Sequence, residues 1–308
     1  MPTSSQSSVH ASPGVRRLAR ELGILLERVN ATGVKNRVTK DDIHAFVKAQ
    51  LAKGATTQST QGLSIAPAPE IDFSKFGEID VKALNKIKRA TGNNLHRAWV
   101  SIPHVTHFDH ADITELEAFR KAQNPTAKED GYKLTVLAFV VKALVLSMKK
   151  YPQFNASLSS DAQSLIYKQY YNIGIAVDTP NGLVVPVIKG ADTMSISDIA
   201  KEMARLSSKA RDKGLMPGDM SGGCMTISSL GGIGGCAFTP VVNSPEVAIL
   251  GLSKAEMTPK YDGNGFVPRL MLPTSLSYDH RVIDGAEAAR FSAYLSYLLS
   301  DIRRLIID

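Results

Sequence analysis

The chain has 308 residues, of which 44% are hydrophobic and 21% charged, with a formal net charge of +7. This length suits one large domain plus a small one. The opening MPTSSQSSVHASPG is polar, no run approaches the roughly 18 apolar residues a membrane span requires, and the basic residues are spread without interleaved aromatics. Neither a membrane nor a nucleic-acid partner is therefore expected.

Residues 1–8 read as linker. Residues 9–49 read as a small helical module. PGVRRLARELG places Pro13 at a helix start and Gly23 just past its end, with Val15, Leu18, Ala19 and Leu22 at helical spacing. TKDDIHAFVKAQLAK opens a second helix, with Thr39 as cap and Asp42 three residues on. Arg16, Arg17, Arg20, Lys35, Arg37 and Lys40 concentrate positive charge here. Two helices make a marginal core, so a docking role is expected. Residues 50–79 contain GATTQSTQGLSIAPAPE and read as a flexible linker.

Residues 80–308 read as one mixed α+β domain. Helices are expected over VKALNKIKRATGNNLHRAWV, ITELEAFRKAQ, KLTVLAFVVKALVLSMKK, SISDIAKEMARLSSKARDKG and the C-terminal AEAARFSAYLSYLLSDIRRLIID. Strands are expected over HVTHFDHADI, YYNIGIAVDT, GLVVPVIKG, CMTISSL, EVAILGLSK and PRLMLPTSLSYDH. The elements interleave without simple alternation, which points to a mixed sheet with helices on one side.

Two segments carry candidate chemistry. In SYDHRVIDG, His280 follows an apolar strand and precedes Asp284 and Gly285. A histidine at a strand-to-helix junction beside a carboxylate suits a general base, and a surface histidine followed by a helix-capping Asp284 fits the same pattern. In TISSLGGIGGCAF, glycines crowd around Ser228 and Ser229, where a hydroxyl could donate to an oxyanion or the glycines could simply turn the chain. GGIGG lacks the Lys-Ser/Thr tail of a phosphate loop. Cys224 and Cys236 are read as small, reduced, buried residues, which favours a cytoplasmic location. His104, His107 and His110 are spaced H-x-x-H-x-x-H, but a strand would turn His107 away from the other two, so no metal site is expected. Trp99 and Phe238 read as core.

SYDHRVIDG and TISSLGGIGGCAFTPVVNSPEVAILGLSKAE, with AVDTPNGLVVPVI, NLHRAW and PHVTHFDHADITEL, resemble the catalytic domain of the lipoate acyltransferases, the second components of 2-oxo acid dehydrogenase complexes. The resemblance covers residues 80–308. Residues 9–49 resemble the same family's peripheral subunit-binding domain. ISSLGGIGG and NSPEVAILGLSK are similar to the pyruvate branch, which implies acetyl transfer between S-acetyldihydrolipoamide and coenzyme A. The resemblance implies a two-layer fold of the chloramphenicol acetyltransferase type. His280 would be the base, Ser228 the oxyanion donor, and Asp284 a local orienting residue. Phe238 would flank the coenzyme A channel, and Arg97 would meet a coenzyme A phosphate or pair with a carboxylate. It further implies homotrimers assembling into a cage. Docking of the pyruvate dehydrogenase and dihydrolipoamide dehydrogenase components would run through residues 9–49. Coenzyme A and lipoamide would be substrates, the lipoamide brought by a lipoyl domain expected to be absent from this chain. A succinyl or branched-chain acyltransferase, an antibiotic acetyltransferase of the same fold and a non-catalytic scaffold are the rival readings.

Overall fold

The computed structural model describes residues 9–55, 69–212 and 214–307. The chain divides into two compact units, Met1–Asp80 and Val81–Asp308.

In the first unit, α1 (Pro13–Glu21) begins on the Ser12 side chain, with proline in its first turn, and ends before Gly23 at φ +66°. Helix α2 (Lys40–Ala55) opens with the expected reciprocal cap: Thr39 N–H donates to the Asp42 carboxylate and Asp42 N–H donates to the Thr39 hydroxyl. Asp42 also accepts from the Thr32 hydroxyl and backbone N–H, and these donors hold its pKa down at about 2. The core is small: Val15, Ala19, Val29, Val38 and Ile43 are buried, with Leu18 beside them, whereas Leu22 is largely exposed. The six basic residues singled out above are all exposed.

The second unit opens with α3 (Lys86–Ser101), which is capped by Asn85 and therefore starts later than the sequence suggests. It continues with β1 (His104–Asp112), α4 (Thr114–Glu129) and α5 (Val136–Lys150). A short hairpin, β2 (Ala156–Leu158) with β3 (Leu165–Tyr167), follows. Next come β4 (Ile173–Ile175), the hairpin β5 (Val177–Thr179) and β6 (Gly182–Val184), β7 (Val187–Ile188) and α6 (Ile196–Asp212). The remainder is β8 (Met225–Ser229), β9 (Ala248–Leu252), β10 (Glu256–Tyr261), β11 (Phe266–Asp279), α7 (Gly285–Leu299) and α8 (Arg304–Ile307). The C-terminal helix expected as one piece is thus interrupted between Leu299 and Arg304.

The main sheet runs β1-β11-β9-β8-β4-β7, with β10 paired to β11. Strands β4, β8 and β9 are parallel and the other pairings antiparallel, so the sheet is mixed, as expected. Its two faces differ sharply. Met225 and Ile227 of β8, Leu250 and Leu252 of β9, and Leu276 and Tyr278 of β11 belong to a core shared with α5 and α7. That core explains α5, buried through Ala138–Met148 apart from Lys142, whose ammonium donates to the Met194 carbonyl. The alternate residues, Thr226, Ser228, Gly251, Ser275 and Ser277, line the opposite face. There the parallel β8–β9 pair forces a crossover, and residues 230–247 make it without a helix. Val241 and Val242 of that crossover pack with Ala98, Ile102 and Ile249.

Candidate active site

Ser228 lies near the end of β8, half-buried, on the face opposite α5 and α7. Its cross-strand row is Ser228, Gly251 of β9, Ser275 of β11 and Phe108 of β1. Phe238 covers this row: a Cβ on Gly251 would fall 2.8 Å from Phe238 Cζ and 3.2 Å from Ser275 Cβ. Only glycine lets that ring lie so close to the strand. Phe238 is therefore half-buried beside the Ser228 row rather than part of a closed core. Ser229 points to the other face and is exposed.

His280 follows the last residue of β11. Its side chain is exposed and its backbone N–H donates to Pro103 O at 3.1 Å. The Tyr278 ring lies 5.9 Å away, and among the described residues the imidazole has no hydrogen-bond partner. Asp284 caps α7: its carboxylate accepts from Glu287 N–H at 2.8 Å, while the Glu287 carboxylate accepts from Asp284 N–H at 3.3 Å. The structure thus shows Asp284 as a helix cap, with an exposed His280 before it.

The register keeps the two main candidates apart. Ser275 shares the row of Ser228, and His280 lies five positions further along β11. At roughly 3.4 Å per residue and about 4.8 Å per strand spacing, Ser228 and His280 are about 20 Å apart within one chain. They belong to opposite ends of the sheet.

The other candidates sort as follows. Arg97 is exposed on α3 and donates to Asn94 Oδ1 at 2.6 Å, with no carboxylate partner among the described residues. Trp99, expected in the core, is largely exposed and stacks on His104 at 5.7 Å, because α3 buries only Ala98. His104 uses both ring nitrogens locally, Nδ1 on Ile102 O and Nε2 on Val242 N–H. The strand alternation sets His107 on the opposite face from His104 and His110. Cys224 is buried, and burial pushes its thiol pKa up, the wrong direction for a nucleophile. Cys236, expected buried, is exposed in the glycine-rich crossover.

Three charged residues emerge that sequence reasoning had not singled out. Asp279 is buried and receives Arg281 Nη2 at 2.6 Å, Nε at 2.9 Å and the Arg281 backbone N–H at 3.0 Å, so the pair straddles His280. Opposite charges two positions apart at a strand end were the available signal. Glu246, just before β9, is buried beneath the sheet face that carries Thr226. Its Oε1 accepts from the Thr226 hydroxyl at 2.9 Å and from Asn243 at 3.0 Å, and Oε2 has no partner among the described residues. Burial pushes its pKa up to about 7, against the pull of those donors and of Lys168.

The comparisons with known proteins agree with this architecture. The family model for the 2-oxoacid dehydrogenases acyltransferase catalytic domain matches residues 76–307, and the e3 binding domain model matches residues 9–44. The acetyltransferase component of the pyruvate dehydrogenase complex from Haemophilus influenzae is 53% identical over 98% of this chain and 56% of its own length. A structure of Azotobacter vinelandii dihydrolipoamide acetyltransferase, from a study of one serine, one histidine and one asparagine in its catalytic mechanism, is 56% identical. It covers 79% of this chain and 100% of its own, at TM-score 0.77. The cubic core of the pyruvate dehydrogenase multienzyme complex gives the same identity, coverage and TM-score. The chain spans about half the length of the first four curated relatives it matches. With the catalytic-domain model spanning most of its length, the chain belongs to the 2-oxoacid dehydrogenase acyltransferase family.

Proposed function

We propose that the protein transfers an acetyl group between S-acetyldihydrolipoamide and coenzyme A, at a site completed by two copies of the chain. The observation that carries this reading is the placement of Ser228 and His280. The serine, histidine and asparagine studied in the Azotobacter vinelandii enzyme are spaced as Ser228, His280 and Asp284 are here, with aspartate in place of asparagine. A base and an oxyanion donor acting on one carbonyl must each lie within hydrogen-bond reach of the reacting atoms. A separation of about 20 Å forbids that within a chain, so one copy supplies Ser228 and its neighbour His280.

The chemistry then needs little else. His280 takes the proton from the thiol of coenzyme A, and the thiolate attacks the carbonyl of the acetyl thioester. Ser228 donates to the oxygen of the tetrahedral adduct. Collapse breaks the bond to the lipoyl sulfur, and the proton returns from His280 to that thiolate. Asp284 fixes the start of α7 and with it the turn that carries His280. Phe238 walls the Ser228 row, where coenzyme A or the acetyl group would lie. Arg97, exposed and free of carboxylates among the described residues, is available to a coenzyme A phosphate.

Trimers closing into a cage would bring the copies together. The exposed basic residues within 9–49 would dock an acidic surface on the dihydrolipoamide dehydrogenase or pyruvate dehydrogenase component. A lipoyl domain would deliver the substrate, and a cytoplasmic setting fits this chemistry. Among the described residues, no helix is long and apolar enough to cross a membrane. Assaying acetyl-CoA against succinyl-CoA with free dihydrolipoamide tests the reaction. Acetyl transfer should dominate; preference for the succinyl donor, or no transfer from either, contradicts the reading.

A further inference from the structure

We infer that the Asp279–Arg281 ion pair is a positioning clamp that sets where His280 stands. The inference rests on the proposal that His280 is the base. Burying a carboxylate at a strand end is costly unless it is well paired, and Asp279 is 3% exposed. Its compensation comes from Arg281, through Nε and Nη2 on one edge of the guanidinium and through the backbone N–H. That pairing holds the Arg281 guanidinium more firmly charged than usual.

The backbone N–H groups of residues 279–283 are also all tied. Asp279 N–H donates to Val247 O at 2.8 Å, His280 N–H donates to Pro103 O, and the N–H groups of Val282 and Ile283 both donate to Asp279 O at 3.0 Å. Asp279 pairs across the sheet with His104, whose two ring nitrogens are themselves engaged. The His280 side chain, exposed and without a hydrogen-bond partner among the described residues, can rotate about a held backbone. A base held this way meets its thiol without reorganising, and a displacement of about 1 Å can cost on the order of a hundredfold in rate.

The pair also neutralises its own charge beside the base. The titratable groups on the elements around His280 include Tyr278, Asp279, Arg281, cross-strand His104 and, at the start of α7, Asp284 and Glu287. Removing the Asp279 charge leaves the cation of Arg281, the residue after His280, without its counter-charge, and an unpaired cation disfavours a second positive charge nearby.

The test compares Asp279→Asn, Arg281→Gln, Arg281→Lys and His280→Ala in the assembled full chain, assayed with acetyl-CoA and free dihydrolipoamide. Asp279→Asn should lower kcat roughly ten- to a hundredfold, leave KM for coenzyme A within about twofold and move the acid limb of the pH profile to lower pH. Arg281→Gln should match the loss in kcat, and Arg281→Lys, which keeps the charge but not the fork, should recover part of it without moving the limb. If Asp279→Asn fails to fold, the two Arg281 variants, whose changed side chain is exposed, still decide. Parental kcat and pH profile in Arg281→Gln, with His280→Ala inactive, would overturn the clamp and leave the base assignment standing. Near-parental turnover in His280→Ala would overturn both.

Discussion

Ser228 and His280 sit at opposite ends of the same sheet: the strand row of Ser228 crosses β11 at Ser275, five positions before His280. The relationship follows from topology. Strands β8 and β9 are parallel and β11 is antiparallel to β9, so the C-terminal ends of β8 and β11 point in opposite directions. No side-chain rotation closes a gap of about 20 Å, so the proposed reaction, which uses both residues, calls for two chains.

The serines of β8 should separate cleanly. Ser228 faces the side of the sheet that Phe238 covers and Ser229 the opposite side. Ser228→Ala should lower kcat about a hundred- to a thousandfold with little change in KM for coenzyme A, the usual cost of one oxyanion donor. Ser229→Ala should be milder. Steady-state kinetics on both variants check this, and the reverse order would reassign the pair.

Phe238 and Gly251 should behave as one unit. Gly251→Ala puts a methyl group within contact distance of the ring and of Ser275, costing about 1–3 kcal/mol by overpacking. Adding Phe238→Leu should restore part of that loss, because the smaller side chain vacates the space. Denaturant melts of the two singles and the double give the coupling; strict additivity would show that the two residues do not press on each other.

Glu246 makes stability depend on pH in a stated direction. Its folded pKa, about 7, lies above the ordinary 4.5, so the native state holds a proton that the unfolded chain releases. The contribution is fully present below pH 4.5 and is lost as pH rises through about 7. Lys168, which faces it, opposes the shift without cancelling it. Glu246→Gln keeps the acceptor for Thr226 and removes the ionisation. It should therefore gain on the parent by on the order of 2–3 kcal/mol between pH 5 and pH 8. Thermal melts at both pH values test it; parallel curves for variant and parent would contradict it.

Much of this was legible in the sequence, and the failures have physical causes. The Thr39–Asp42 cap, the buried helix α5 and the mixed sheet follow from local spacing and apolar runs. Trp99 was misplaced because apolarity says nothing about where a helix finds cover, and α3 buries little more than Ala98. Cys236 was misplaced because glycine crowding reads equally as a tight buried turn or an exposed one. Glu246 and the Asp279–Arg281 pair were missed because a charged residue reads as surface until the strand pairing shows what closes over it. The separation of Ser228 from His280 is a property of strand order, which spacing along the chain does not carry.

The proposed sharing of the site between chains has one direct test. A Ser228→Ala assembly keeps every His280 and lacks the hydroxyl; a His280→Ala assembly keeps every Ser228 and lacks the base. The two variants are denatured, mixed in equal amounts and refolded, and the turnover is compared with each refolded alone. In a closed ring of like interfaces, each site draws its serine from one copy and its histidine from the next. Random mixing then leaves about a quarter of the sites with both groups intact, so turnover should recover to about a quarter of the parent's. Turnover no higher than the mean of the two variants, in samples shown to contain mixed assemblies, would place both residues in a single chain's site and contradict the account.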